Sequence, residues 1–520
     1  MSKRLWLWTL PLVGFLLAGP VGADTFDVLR YDETTIADIQ AAFKAKTLTC
    51  RMLVQMYLDR IDTYDKKGPA LNAIVVINPD ALKVADTLDT KLAQSGPVGP
   101  LHCVPLIVKD NYETTDMSTS AGSLSLKGVM SKTDAFQIKK LREAGALMLA
   151  KGNMAEFAFD PMETVNSLLP GYTRNPYALD RVTAGSSGGP AAAVAANFGA
   201  VGLGTDTGNS IRGPASHTSL VGIRSTMGLT SRDGIVPLFL DKDIGGPLAR
   251  NVADAVAIFD VIAGYDPADQ VTAASQGKRA ASYVAFLDKD GVRGMRLGVV
   301  RQLFTPQNTD AEVMKRMEQA LVDLGRLGAQ IVDPVTIAEI DSIPPGMLFC
   351  FRFKFDINEY LPRLAPDAQV GTLEDIIKSG KFHPSIEKRL IDRQAEPPLD
   401  QNPRCAQVAQ NTQRMRESVQ KVMDDHTLDA LVYPTWTFPP RLIGDLNTPH
   451  GNNSPRLSPP TGFPAITVPM GFVRDGLPVG LQVLGRAWSE PTLIKIVYGY
   501  EQATRHRRPP ASTPPLPARP

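Results

Sequence analysis

Net charge is almost absent from this sequence, with 55 Lys and Arg against 54 Asp and Glu in 520 residues. A formal charge of +1 supplies no field that would gather a nucleic acid or an anionic surface, so neither is an expected partner. Histidine is scarce, at six residues, and no Asp–His pair stands near the serine-rich stretches. Cysteine is scarcer still. Cys50, Cys103, Cys350 and Cys405 are spread too widely to read as a zinc site. Sequence alone does not choose among their possible pairings. Cys350–Cys405 is the pair to test first, with buried free thiols as the alternative, and Cys103, read as part of an apolar strand, is expected to be a packed thiol. No internal repeat is visible. Beyond the N-terminus, no stretch reaches the about 18 uninterrupted apolar residues of a membrane span.

The first residues are the exception. Lys3 and Arg4 precede an apolar run from Leu5 to Leu17, and Val21-Gly22-Ala23 follows with small side chains. This order reads as a secretory signal peptide over residues 1–23, with Asp24 as the new N-terminus and an uncleaved anchor as the alternative. The protein is therefore expected to be exported, periplasmic or extracellular, without stable membrane insertion once the signal is removed. No cysteine follows the run, which argues against a lipid anchor. At the other end, the Pro-rich residues 506–520 read as a disordered tail.

Between these ends, helical and strand-like patterns alternate. Thr35 and Thr49 look like helix caps, each followed by apolar residues at helical spacing. VPLIVK (104–109) reads as a buried strand that ends in a lysine. A helix near 135–143 is followed by the strand-like ALMLA at 146–150. Asn251 caps a further helix, and 310–327 is amphipathic. RLGVV (296–300), AQIV (329–332), LDALVYP (428–434) and AITVPM (465–470) read as strands, and 489–505 as a closing helix. This alternation predicts an α/β fold: one large domain over 24–505, with a central mixed sheet flanked by helices on both faces. Residues 340–425 break the rhythm and read as a mostly helical insertion or lid.

Three patterns offer a nucleophile. Gly185-Ser186-Ser187-Gly188-Gly189 matches the hydrolase elbow G-x-S-x-G with Ser187 as nucleophile, but NPYALDRVTA before it is no buried strand. Ser385-Ile386-Glu387-Lys388 matches S-x-x-K, yet the companion S-D-N and K-T-G elements are missing. The third pattern joins VPLIVKDN (104–111), TAGSSGGPAAAVAA (183–196) and GLGTDTGNSIRGPAS (202–216), which keep this order, with Ser186 and Ser210 standing 24 residues apart.

These three pieces resemble the amidase signature family, serine hydrolases that use a Ser–Ser–Lys triad. The resemblance extends to GPLARNVADAV (246–256), LDALVYPT (428–435) and GFPAITVPMGFVRDGLPVGLQVLG (462–485), and is weakest from 340 to 425. It implies that Lys109 is the general base, Ser186 the bridging serine after a cis peptide bond, and Ser210 the nucleophile. A serine hydroxyl needs a neighbouring base to become an attacker. A lysine can be that base only if burial removes its charge. Arg212 would help by disfavouring a second cation, while Asp110 and Asp206 would oppose that. Backbone N–H groups of Thr207, Gly208, Asn209 and Ser210 are the expected oxyanion hole, with Ser187, Asp206 and Arg212 in support. No cofactor or metal is implied.

The sequence departs from the commonest family pattern at two places. Asn209 stands where glycine is usual. Asn tolerates left-handed backbone, and its side chain is expected to narrow the acyl side of the pocket. His217 replaces a large apolar residue and reads as a packing histidine.

The triad does not select a substrate. Tyr112, Met117, Phe157 and Trp436 are the candidate pocket residues, each with core packing as the alternative. The expected substrate is a small-molecule or peptide amide, cleaved by a monomer or homodimer. A peptide C-terminal amidase and a carbamate or aryl-amide hydrolase are the alternatives. Further off stand an esterase working through Ser187 and a catalytically silent binding protein of the same fold. The tRNA amidotransferase role is disfavoured by the export signal.

Overall fold

Apolar runs that are covered on both sides must end in the middle of a layered structure, and PLIVK, buried at every residue, does so here. The structure is a computed structural model and describes residues 33–364 and 370–517. The expected signal peptide lies outside the described residues. The strands, in chain order, are β1 (Ile74–Ile77), β2 (Pro105–Lys109), β3 (Leu147–Gly152), β4 (Arg174–Asn175), β5 (Ala178–Val182), β6 (Val201–Asp206), β7 (Val221–Arg224), β8 (Ile244–Ala249), β9 (Arg296–Val299), β10 (Gln330–Val332), β11 (Ala430–Pro434), β12 (Ala465–Phe472) and β13 (Pro478–Leu484). β4 and β5 pair with each other. The other 11 form one sheet in the order β1-β3-β2-β6-β8-β7-β12-β13-β11-β9-β10. β2 runs parallel to both β3 and β6, whereas β6, β8, β7, β12 and β13 pair antiparallel in turn. The sheet is mixed, and helices cover it, as the sequence predicts.

Helix ends follow local chemistry. Thr35 caps Ile36–Lys44 in a reciprocal box with Asp38, and Thr49 caps Cys50–Tyr64 by accepting the Met52 N–H. Asn251 accepts the Asp254 N–H at the start of Val252–Ile262. Among the described residues, no helix is long and apolar enough to cross a membrane.

Residues 340–425 are mostly helical. Helices Phe353–Leu364, Leu373–Ser379, Glu387–Gln394 and Pro403–Asp425 occupy the segment. Apolar side chains of the first three meet Phe157, Phe159, Leu238 and Phe239 in a second core. Phe353 sits 4.6 Å from Phe159 and 5.7 Å from Phe157, ring to ring. Each such buried aromatic side chain contributes roughly 1.5–3 kcal/mol, enough to hold the segment on the sheet domain.

Two expectations need correction. Cys103 is no free thiol: it lies in the turn before β2 with φ 52° and is bonded to Cys50, while Cys350 is bonded to Cys405. The Pro-rich end does not hang free as far as residue 517. The Arg60 guanidinium, buried under it, donates to the carbonyls of Thr513 at 2.8 Å and Pro514 at 3.1 Å. Tyr64 Oη donates to Pro514, and Arg507 pairs with Glu33 at 2.6 Å. Proline lacks an N–H but keeps its carbonyl, so a chain that cannot join a sheet can still be held by its acceptors.

Candidate active site

Lys109 closes β2 and is fully buried. Its Nζ lies 2.7 Å from Ser186 Oγ and 2.7 Å from Thr205 Oγ1. Thr205 stands near the end of β6, the strand beside β2, and also accepts from Asn111 Nδ2 at 3.2 Å. Ser186 follows Gly185 through a cis peptide bond. The next residue, Ser187, starts the helix Gly188–Ala195 and exchanges hydrogen bonds with the Thr205 main chain, at 3.2 and 3.3 Å. Two glycines permit this close stacking. A Cβ on Gly189 would lie 2.2 Å from the Asn153 backbone, and one on Gly204 would lie 2.8 Å from Ser187 Oγ.

Burial holds the Lys109 ammonium far below its ordinary range, to about 7, against the opposing pull of Asp243 and Asp206. Both carboxylates are committed to other partners. Asp206 is taken up by Arg212 at 3.1 Å and Arg224 at 3.2 Å, and these cations hold its carboxyl below the usual range although burial pushes it up. Asp243 accepts from Thr207 Oγ1 and from the N–H groups of Leu238 and Phe239. Asp110 does not bear on Lys109 as expected. It accepts from Ser120 and Gly122 and faces Lys151 at 3.9 Å. Arg212 likewise commits its guanidinium to Asp206, the Gly208 carbonyl and Gln482.

The loop after β6 carries Thr207, Gly208, Asn209 and Ser210, and all four line one cavity of about 550 Å³, its mouth included. The remaining lining is almost wholly apolar: Ala158, Phe159, Pro161, Leu238, Phe239, Phe349 and Pro455, with Asn452 as the polar addition. Asp206 shapes the loop by accepting the Ile211 N–H at 3.2 Å. Asn209 ties it to the glycine-serine turn, donating to the carbonyls of Gly185 at 2.9 Å and Pro161 at 3.2 Å.

With that geometry in view, comparison with known proteins is specific. The sequence model of the Amidase family matches residues 52–494. A probable amidase of Arabidopsis thaliana is 34% identical over 511 residues, covering 94% of this chain and 93% of that one. The chain belongs to the amidase signature family. A glutamyl-tRNA(Gln) amidotransferase chain of Acinetobacter baumannii is also 34% identical, over 90% of this chain and 96% of its own. Among solved structures, the native peptide amidase of Stenotrophomonas maltophilia superposes with a TM-score of 0.84 at 38% identity, covering 92% of this chain and 99% of that one. An amidase family protein from Bacillus anthracis gives 0.80 at 30% identity, over 94% and 95%. The protein is an amide-hydrolysing enzyme, and an amide substrate suits its family.

In this amidase the expected pocket residues fall elsewhere. Tyr112 is buried and donates to the Gly204 carbonyl at 2.8 Å, Met117 is packed in the main core, and Phe157 belongs to the second core. Trp436 stands behind the loop, its indole N–H donating to Asn209 Oδ1 at 3.0 Å. Core packing, the alternative reading, describes these side chains. Asn209 lines the cavity; its backbone is not left-handed, and its side chain is engaged with Gly185, Pro161 and Trp436. His217 packs 4.4 Å from the Trp436 ring, and burial drives its imidazolium down to about 3. Sequence reasoning missed Thr205, Asn111, Arg224 and Asp243. Thr205 carried a signal, one place before the expected Asp206, and so did Asn111, two places after Lys109.

Proposed function

We propose that this enzyme hydrolyses carboxamides through an acyl-enzyme on Ser210, with Lys109 as base and Ser186 as proton carrier. The observation that carries the reading is a buried amine within 2.7 Å of the Ser186 hydroxyl oxygen. A neutral amine has two N–H groups and one lone pair. Thr205 offers two acceptors, Oγ1 at 2.7 Å and its carbonyl at 3.5 Å, which leaves the lone pair for the Ser186 O–H. Lys109 takes the Ser186 proton as Ser186 takes that of Ser210, and Ser210 Oγ bonds to the amide carbon. The carbonyl oxygen becomes an oxyanion, stabilised by backbone N–H groups of Thr207, Gly208, Asn209 and Ser210. Collapse breaks the C–N bond. Nitrogen leaves with a proton from Ser186, which recovers one from Lys109. Water then repeats the sequence on the ester, releasing the acid.

A fluorophosphonate probe tests this reading. It should label wild type on Ser210, and labelling should vanish in Ser210→Ala. Ser210→Ala, Ser186→Ala and Lys109→Ala should each lose at least about 10³ in kcat while remaining folded. Robust turnover by Ser210→Ala overturns the assignment. An esterase built on Ser187 is disfavoured because Ser187 Oγ is buried against the Thr205 backbone. Activity toward peptide C-terminal amides is a second reading, favoured by the 38% identity to the peptide amidase of Stenotrophomonas maltophilia.

We also propose that the chain is exported with cleavage after Ala23. The N-terminal pattern and the two disulfides support this reading, since disulfides persist in oxidising compartments. N-terminal sequencing of protein from the periplasm or medium should begin at Asp24. Recovery of uncleaved protein in the cytoplasm overturns it.

A further inference from the structure

Among the described residues no formal charge lines the cavity that holds Ser210, and its wall is built from rings and aliphatic side chains, Phe159, Leu238, Phe239, Phe349 and Pro455 among them. Phe349 reaches close to the reacting loop: its Cζ lies 3.5 Å from where a Gly208 Cβ would stand. The short segment bearing Phe349 has no regular sheet or long helix to hold it, yet it is clamped on all sides. Cys350 is bonded to Cys405 at the start of the helix Pro403–Asp425. Arg404 donates from Nε to the Phe349 carbonyl at 3.3 Å and from Nη2 to that of Gly346. Asn411 donates to the Met347 carbonyl at 3.0 Å. On the other side of the disulfide, Phe351 lies against the guanidinium groups of Arg393 at 3.6 Å and Arg404 at 4.1 Å. A wall fixed this firmly can hold one shape of side chain against the nucleophile loop.

We propose, on the serine mechanism above, that the acyl group of the substrate is uncharged and apolar, up to aromatic size, and that Phe349 is its specificity-determining residue, positioned by the Cys350–Cys405 clamp. An acyl group carrying an ammonium or carboxylate would lose its hydration here without gaining a charged partner, a costly exchange. Free glutamine, which carries both, is a poor acyl donor for this cavity.

The test uses the full-length enzyme and three simple amides: 3-phenylpropanamide, propanamide and succinamate. kcat/KM for 3-phenylpropanamide should exceed that for propanamide by about 10- to 100-fold, the gain from burying a phenyl group. It should exceed that for succinamate by at least about 100-fold, because the succinamate carboxylate is desolvated unpaired. Phe349→Ala should reduce the phenylpropanamide-to-propanamide ratio by about 10-fold, chiefly through KM. Cys350→Ser with Cys405→Ser, or reduction of that bond, should move the ratio the same way. Turnover of all three amides without preference overturns the inference and leaves the serine mechanism standing. So does a ratio that Phe349→Ala does not change. Failure to turn over any of them, with no fluorophosphonate label, overturns the serine mechanism and this inference with it. Should Phe349→Ala not fold, the wild-type preferences alone still decide.

Discussion

The proposed role of Lys109 as a neutral base has a kinetic and a thermodynamic consequence, and both can be measured. An ammonium of ordinary pKa, 10.5, would offer roughly one neutral base per thousand molecules near pH 7.5. At about 7 most molecules carry it. kcat/KM on a neutral amide reports the free enzyme, so it should rise with unit slope, centred near pH 7, to a plateau. Roughly 1% of the plateau is expected at pH 5, about 10% at pH 6 and about 90% at pH 8. Folding pays for this. The folded pKa lies below the unfolded one, so between about 7 and 10.5 the unfolded chain holds more protons and stability rises with pH. Below pH 7 the full penalty, about 5 kcal/mol, opposes folding. Lys109→Met removes that penalty and forfeits hydrogen bonds to Ser186 and Thr205, at about 1 kcal/mol each. The inactive variant should therefore be more stable than wild type by about 2–3 kcal/mol at pH 6, with the gain shrinking toward pH 10. Denaturant titrations across that range provide the measurement. A kinetic limb centred above pH 9, or Lys109→Met less stable than wild type at pH 6, would refute the reasoning.

Other outcomes follow from the same contacts. Thr205→Val removes one of the acceptors that orient the amine, and kcat should fall about 10- to 100-fold with little change in KM, read by steady-state kinetics. Asp206→Asn takes from buried Arg212 and Arg224 the carboxylate both pair with and should cost about 3–5 kcal/mol in a denaturant titration, more than any surface ion pair. Asn209→Ala orphans the Trp436 indole N–H and should cost about 1–3 kcal/mol, seen as a lower Tm. Replacing Cys50 and Cys103 by Ala opens a loop of 53 residues' separation and should lower stability by about 2–4 kcal/mol while kcat stays near wild type.

How far such contacts were legible in the sequence depends on distance along the chain. Lys109 was, because it ends an unbroken apolar run, and such a run must be buried. The capped helices at Thr35, Thr49 and Asn251 were too, since a cap is a local event. Strands β6, β8 and β13 escaped because VGLGTD, IGGPLA and PVGLQVL carry glycines that weaken any strand pattern. In β6 the reason is tertiary: Gly204 is small so that Ser187 can lie on it. Phe349, Asn452 and Pro455 reach the cavity from loops far from the serines in sequence, and no period announces them. Tyr112 and Met117 misled for the converse reason: they stand close to Lys109 in sequence but fold into the packing behind the site, and Phe157 is taken up by the second core. Cys103 pairs with Cys50 across a separation that pattern reading does not span.

Arg60, seated on the carbonyls of Ala196 and Asn197, holds the end of the described chain by those of Thr513 and Pro514. Carbonyls are common to every residue type. A grip of this kind ignores which side chains pass through it but depends on where the backbone lies. Exposed positions such as Pro514 should therefore accept wide changes of letter, the segment as a whole few changes of length, and an insertion ahead of Thr513 would draw away acceptors of a buried cation that no substitution there removes.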